Sequence, residues 1–346
     1  MDTFRHIDIS GDARQRGHMH GEQLRGEIAG ALAWYRSVFS LDEATVVQRG
    51  RYFAGVIEAF NSSYASEIRA IAEAAGQDPF WLFALNARTE ILALSQDKPA
   101  NKCTIACFTG PPVLGQTWDW GMALEGLCAM MRIERPDGHV IEMMSEPGII
   151  GKIGMNSAGV GVCLNILQCG RALEGVPIHV LLRAILDCQS AEQAAAMIAG
   201  AKTGTASNVA IADRQGRCFD FEFAGPEVLA PDTGNNTADG WFVHTNHYLA
   251  RPVNAHDDPE FANSRTRMAN TRAAMKAARS PGVDSLKAIL SDRSNRQFPV
   301  FRPDAPNEDL GVAGTVATLI MDLAAGEMHV RKGNRADAAF TIYRAQ

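Results

Sequence analysis

A chain of 346 residues, 46% hydrophobic and 21% charged, has the composition of a globular protein able to bury a substantial core, as one large or two medium domains. Its formal net charge of −6 excludes a nucleic-acid surface, which needs a clustered basic face; the arginines at 132–135 and 331–335 are interrupted by other residue types. The N-terminus lacks the apolar core of a signal peptide, no run of about 18 apolar residues occurs, and the seven cysteines form no C-x-x-C pair, so a cytoplasmic protein with no membrane partner is expected.

The stretch from Asp12 to about Ser95 reads as helical, with Ile28, Leu32, Tyr35 and Phe39 at helical spacing. Asp78-Pro79 opens a helix, Asp as N-cap and Pro at the first helical position, that continues through Trp81, Leu82, Leu85 and Ile91. It fades at Ser95-Gln96-Asp97-Lys98-Pro99, a polar boundary where a processing loop is expected. After Cys103 the pattern changes to hairpins. Thr104–Thr109 and Val113–Trp118 flank Gly110-Pro111-Pro112, and Met130–Glu134 and Val140–Met144 flank a Pro-Asp-Gly turn. The glycines at 154, 159 and 161 lack the strand-to-helix context of a phosphate loop and read as a hairpin turn.

Helices follow at Pro177–Cys188 and Ser190–Gly200, the second with a capping-box pattern in Ser190 and Gln193. Strands are predicted at Ser207–Ala212, Cys218–Phe223 and Trp241–Asn246, then a charged helix from about Asp258 to Ala278 and a short one from Asp284. Thr315–Leu323 and Glu327–Arg331 close the chain. A helical lead-in followed by hairpins, a helix pair and more hairpins is an α+β plan with mostly antiparallel sheets; two such sheets with helices outside form a four-layer αββα sandwich.

Cys103 opens the first of these strands, and a second strand ends on Asp119 between two tryptophans. A catalytic thiol needs a base or positive charge beside it. A cysteine at a chain N-terminus carries its own, because an α-amine titrates near about 8. The alternative is a small apolar residue in a core strand. Asp119 could hold that amine or simply cap a turn. Asn246, in His244-Thr245-Asn246-His247, could donate to an oxyanion or simply end a strand. The histidines match no zinc spacing, so no metal is expected. Trp118, Trp120 and Trp241 suit an acyl pocket or a core.

Taken together, Cys103-Thr104, Gly115-Gln116-Thr117-Trp118-Asp119 and His244-Thr245-Asn246-His247 resemble the acyl-coenzyme A:6-aminopenicillanic acid acyltransferase (isopenicillin N acyltransferase) family. These are N-terminal-nucleophile hydrolases related to penicillin V acylase and bile salt hydrolase. The likeness extends to Asn86-Ala87-Arg88-Thr89-Glu90, Gly154-Met155-Asn156, Ala206-Ser207-Asn208 and Thr315-Val316-Ala317. It implies self-cleavage of the Lys102–Cys103 bond, giving an α-chain of residues 1–102 and a β-chain of 103–346 that together form one αββα domain and an α/β heterodimer. It also implies Cys103 as nucleophile, Asp119 binding its amine, and Asn246 in the oxyanion hole. Asn165, Thr245 and Arg302 are implied as further oxyanion or substrate positions.

The substrate class implied is a small N-acyl amide or thioester, with no cofactor and acyl-coenzyme A as a possible co-substrate. Three positions depart from the family pattern: Lys102 replaces a glycine, Gln116 stands where penicillin V acylase has arginine, and Pro303 replaces a histidine. The rival readings are a papain-like hydrolase pairing Cys103 with His244, and an unprocessed, non-enzymatic binding protein.

Overall fold

The computed structural model describes residues 2–94, 102–169, 173–230, 239–250 and 259–346; the predicted processing stretch Ser95–Pro99 lies outside them. The chain starts with β1 (Arg5–Ser10), then α1 (Ala13–Gln23), α2 (Arg25–Val38), α3 (Glu43–Phe60), α4 (Ser62–Ala75), α5 (Pro79–Asn86) and α6 (Arg88–Leu92). The hairpin β2 (Thr104–Thr109) and β3 (Pro112–Gly121) precedes β4 (Ala129–Glu134), β5 (Val140–Ser145), β6 (Ile153–Asn156) and β7 (Val160–Ile166). After α7 (Ile178–Leu186) and α8 (Ala191–Gly200) come β8 (Thr205–Asp213), β9 (Cys218–Gly225), β10 (Glu227–Leu229) and β11 (Trp241–His244). The remainder is α9 (Pro259–Ala277), α10 (Val283–Ile289), β12 (Ala305–Asn307), β13 (Gly311–Asp322), β14 (Glu327–Lys332) and β15 (Thr341–Arg344).

Among the described residues the strands form two sheets. One runs β1-β4-β5-β6-β7-β8-β9-β10; the other runs β11-β2-β3-β13-β14-β15, with β12 on β13. Only β1 against β4 is parallel there. The sheets face each other where β2 and β3 pack on β7 and β8, while α7 and α8 cover one outer face and α9 and α10 the other. This is the expected αββα sandwich. Side-chain alternation along β2 shows the layering: Ile105 and Cys107 point between the sheets, whereas Ala106 and Phe108 point outward to Met268 of α9 and Leu286 of α10.

Local chemistry explains most element ends. Asp12, Asp42, Asn61 and Asp78 each accept a backbone N–H as N-caps, and Gly76 closes α4 at φ +67°. The structure departs from the sequence pattern in several places. Strands β1, β10, β12 and β15 lie outside every predicted element, and β15 rather than β14 closes the second sheet. The helix opened by Asp78 breaks at Ala87, because the Asn86 amide turns to bind Gly148 O (2.8 Å) and Ile150 N (3.0 Å) of a neighbouring loop. Ser190 does cap Gln193 N–H, but the Gln193 side chain accepts from Gln189 N rather than closing a box. Strand β11 stops at His244, two residues short of its predicted end, because Asn246 N–H leaves the ladder for Ser264 Oγ (2.8 Å).

Two buried ion networks join the helical segment to the sheets. Glu67 of α4 binds Arg16 of α1 (2.7 Å) and Arg183 of α7 (2.9 Å). Glu146, after β5, binds Arg88 of α6 (2.7 Å), Lys152 and the Tyr35 hydroxyl of α2. These side chains are all close to fully buried, so each network holds its charges only because the partners are in place. Among the described residues no helix is long and apolar enough to cross a membrane.

Candidate active site

The β2–β3 hairpin and the end of β11 bring Cys103, Asp119 and Asn246 together. Thr104 pairs with Thr117 across the hairpin, which sets Cys103 just outside the ladder beside Trp118 and Asp119. The thiol lies 3.8 Å from Asp119 O and is buried. On the other side His244 pairs with Ile105 antiparallel as the last rung of β11, and beyond it Arg267 joins Asn246 Oδ1 (3.0 Å) to Cys103 O (2.7 Å). A strand that opens on the thiol therefore has the carboxylate on one neighbour and the amide on the other.

Burial, and then the charge of Asp119, push the Cys103 thiol up to about 11, so the intact chain holds it protonated. Asp119 is itself pushed up to about 6, chiefly by burial; Arg302, a hydrogen bond from Thr315, Arg267 and Lys102 pull the other way. Thr315 stands opposite Asp119 on β13, at a β-bulge, and donates its hydroxyl to Asp119 Oδ1 at 2.7 Å. Its Oγ1 also accepts from Arg302 N (2.9 Å), and its own N–H donates to Arg302 O (3.1 Å), so one threonine ties Arg302 to the carboxylate. Among the described residues Asp119 Oδ2 is buried without a hydrogen-bond partner. By alternation Asp119 shares the outer face of β3 with Val113, while the odd-numbered residues of β2 face inward. Carboxylate and thiol thus approach the main chain of Cys103 from opposite sides.

Asn246 Nδ2 donates to Ile166 O at 3.0 Å, which leaves its second hydrogen available. Asn165, at the end of β7, has directed both amide hydrogens elsewhere, to Asn208 Oδ1 (3.3 Å) and Thr245 O (3.1 Å), and its Oδ1 is buried without a partner among the described residues. The Thr245 hydroxyl turns away to Ser264 O at 3.0 Å, so this residue fixes the loop to α9. Gln116 is buried and clamps Leu164 of the facing sheet through both amide atoms (2.7 and 3.1 Å). Trp118 is also buried, with Lys152 Nζ 3.5 Å from the centre of its ring.

His244 is fully buried with an oxygen acceptor at each ring nitrogen, Thr245 O at 2.7 Å and Glu222 Oε1 at 2.8 Å. Both contacts are satisfied together only when the ring carries two hydrogens, and both nitrogens are turned to these oxygens rather than to the Cys103 thiol.

Arg267 and Thr315 are the residues of this centre that motif reading missed. Arg267 of α9 donates to Cys103 O at 2.7 Å and to Asn246 Oδ1 at 3.0 Å. Nothing in the sequence separates it from Arg265 and Arg272 of the same helix. Thr315 had a signal, since it lies in the quoted Thr315-Val316-Ala317 motif, but no role followed from it.

A sequence profile of the acyl-coenzyme A:6-aminopenicillanic acid acyl-transferase family matches residues 108–337. The 40 kDa form of acyl-coenzyme A:6-aminopenicillanic-acid-acyltransferase from Emericella nidulans is 30% identical over 250 residues, covering 70% of this chain and 69% of that protein. Among solved structures, a variant of conjugated bile acid hydrolase from Clostridium perfringens aligns with a TM-score of 0.50 at 13% identity, over 70% of this chain and 92% of that one. Penicillin V acylase from Agrobacterium tumefaciens aligns at 0.42 and 12%, over 67% and 83%. The first likeness speaks for the fold: two sheets between helix layers, as in N-terminal-nucleophile hydrolases.

Proposed function

The chain belongs to the acyl-coenzyme A:6-aminopenicillanic acid acyl-transferase family, and from that premise we propose that it is a self-processing N-terminal-cysteine hydrolase or acyltransferase acting on an amide or thioester bond of a small N-acyl substrate. In the first step the Cys103 thiol attacks the Lys102 carbonyl carbon. The backbone nitrogen of Cys103 leaves with a proton, and water hydrolyses the resulting thioester. The products are a carboxylate on Lys102, a free thiol and an α-amine on Cys103.

The observation that carries this reading is Asp119 Oδ2, buried and without a partner among the described residues, on a carboxylate whose field reaches both Cys103 and Lys102. An ammonium formed at Cys103 meets that oxygen and draws Asp119 back toward its ordinary range. The amine, with an intrinsic pKa of about 8, then supplies the base that a thiol near 11 lacks.

During turnover the amine takes the thiol proton and the thiolate attacks the substrate carbonyl. The free hydrogen of Asn246 Nδ2 stabilises the oxyanion. The ammonium returns its proton to the leaving amine, and the acyl group on Cys103 passes to water or to a second amine. Asn165 contributes an acceptor and Arg302 a cation on the substrate side, while Thr245 holds the loop. Coenzyme A thioesters fit as acyl donors, and the chemistry needs no bound cofactor.

Purified protein on a denaturing gel should show fragments of 102 and 244 residues, the larger beginning at Cys103, and Cys103→Ala should stay a single chain. A panel of N-acyl amides, tested with and without acyl-coenzyme A, should acylate Cys103. A parent chain that stays whole and forms no acyl adduct at Cys103 would point instead to the non-enzymatic reading.

A further inference from the structure

We infer that Arg267 is a positioning residue for acyl transfer, fixing which atom of the Asn246 amide faces the substrate carbonyl; this rests on the roles of Cys103 and Asn246 proposed above. Arg267 is 1% exposed, in the helix layer outside the β11–β2 edge. Nη1 donates to Cys103 O (2.7 Å) and Thr104 Oγ1 (2.8 Å), Nη2 to Asn246 Oδ1 (3.0 Å), and Nε to Asn263 Oδ1 (2.8 Å) one helical turn earlier.

A guanidinium has donors only, so the Asn246 atom that meets it must be the amide oxygen. Reversing the amide would set N–H against N–H in a part-buried contact. With Oδ1 held by Arg267 and one Nδ2 hydrogen on Ile166 O, the remaining hydrogen is the amide's only donor left for a substrate oxygen. The same planar group holds the carbonyl of Cys103, so nucleophile and oxyanion donor are both referred to one rigid fork. Lysine is a point charge and cannot span acceptors on three chain segments at once.

The test is a double-mutant cycle on the processed protein, with p-nitrophenyl phenylacetate as acyl donor. Single-turnover acylation is followed by p-nitrophenol release and by the mass adduct on Cys103. Arg267→Gln and Asn246→Ala should each slow acylation about 10²-fold, with half-saturation unchanged. The double variant should be slower than Asn246→Ala by far less than the loss that Arg267→Gln causes alone, because most of the Arg267 effect runs through that amide and only the remainder through Cys103 O. Arg267→Lys runs the same cycle if Arg267→Gln does not fold, and should restore only part of the rate. Equal losses from the Arg267 substitution with and without Asn246 would overturn the proposal, since a merely structural role is additive. Failure of the underlying reading looks different: the parent protein would release p-nitrophenol without an adduct on Cys103.

Discussion

Asn165 and Asn246 each donate an amide hydrogen to the main chain beside the other, Asn165 to Thr245 O at 3.1 Å and Asn246 to Ile166 O at 3.0 Å. One lies on β7 of the first sheet and the other just beyond β11 of the second, so the exchange clasps the two sheets at the end that carries Cys103. The clasp also separates their chemistry. Asn165 has no hydrogen left and presents an oxygen, whereas Asn246 keeps one hydrogen, so in the proposed mechanism Asn246 rather than Asn165 is the oxyanion donor.

Asp119 should trade stability for function. Its folded-state pKa lies above its ordinary 3.8, at about 6. The folded chain therefore holds this proton more tightly than the unfolded one, and stability falls as pH rises from about 4 through about 6. At neutral pH the buried charge costs on the order of 2–3 kcal/mol. In a Cys103→Ala background, which keeps both proteins uncut, Asp119→Asn should raise the urea midpoint at pH 7 and leave it nearly unchanged at pH 4. With Cys103 restored, the same substitution should suppress acylation. A lower midpoint at pH 7 would contradict the assignment of a strained carboxylate.

His244 separates the proposed mechanism from a papain-like one. Loss of a general base costs about 10²–10⁴ in rate, whereas His244→Gln should keep acylation within about tenfold of the parent. Burial opposes its charge, but Asp220 and Glu222 outweigh it, so its pKa is raised above 6.5. The stability it contributes is present in full below pH 6.5 and is lost as pH rises through the raised value. In the Cys103→Ala background, urea midpoints across that range should therefore decline more steeply with His244 present than with His244→Gln.

The Glu146 network predicts an asymmetry between its members. Glu146→Gln leaves Arg88 and Lys152 as buried cations without their carboxylate, and should cost about 3–5 kcal/mol. Lys152→Met leaves Arg88 and Glu146 paired at 2.7 Å and exchanges the ammonium for an apolar group of similar length, so it should cost clearly less. Equilibrium urea denaturation of both variants in the Cys103→Ala background measures the difference.

The hairpins were legible because their turns are written in Gly, Pro and Asp, as at Gly110-Pro111-Pro112, and because alternation marks both strands. The strand β1 has that alternation in His6-Ile7-Asp8-Ile9-Ser10, but it is short and its partner β4 is more than a hundred residues away. The break at Ala87 was invisible because its cause, the loop near Gly148, is distant in sequence. Asn246 was findable as a polar residue ending an apolar strand. Arg267 was not, since which arginine of α9 turns inward depends on how the helix is docked. Asp119 could be located from its strand, but its link to Arg302 through Thr315 depends on the β13 register.

The proposed cut at Lys102–Cys103 would change what the two ion networks do. Arg16, Glu67 and Arg88 then belong to one polypeptide, and Glu146, Lys152 and Arg183 to another. A dissociated fragment would leave charges exposed or buried without counter-ions, so neither piece retains the conformation it had in the pair. Folding before the cut is first-order; reassembly after it is second-order and depends on protein concentration. The mature enzyme would then persist by the slowness of its unfolding rather than by its capacity to refold.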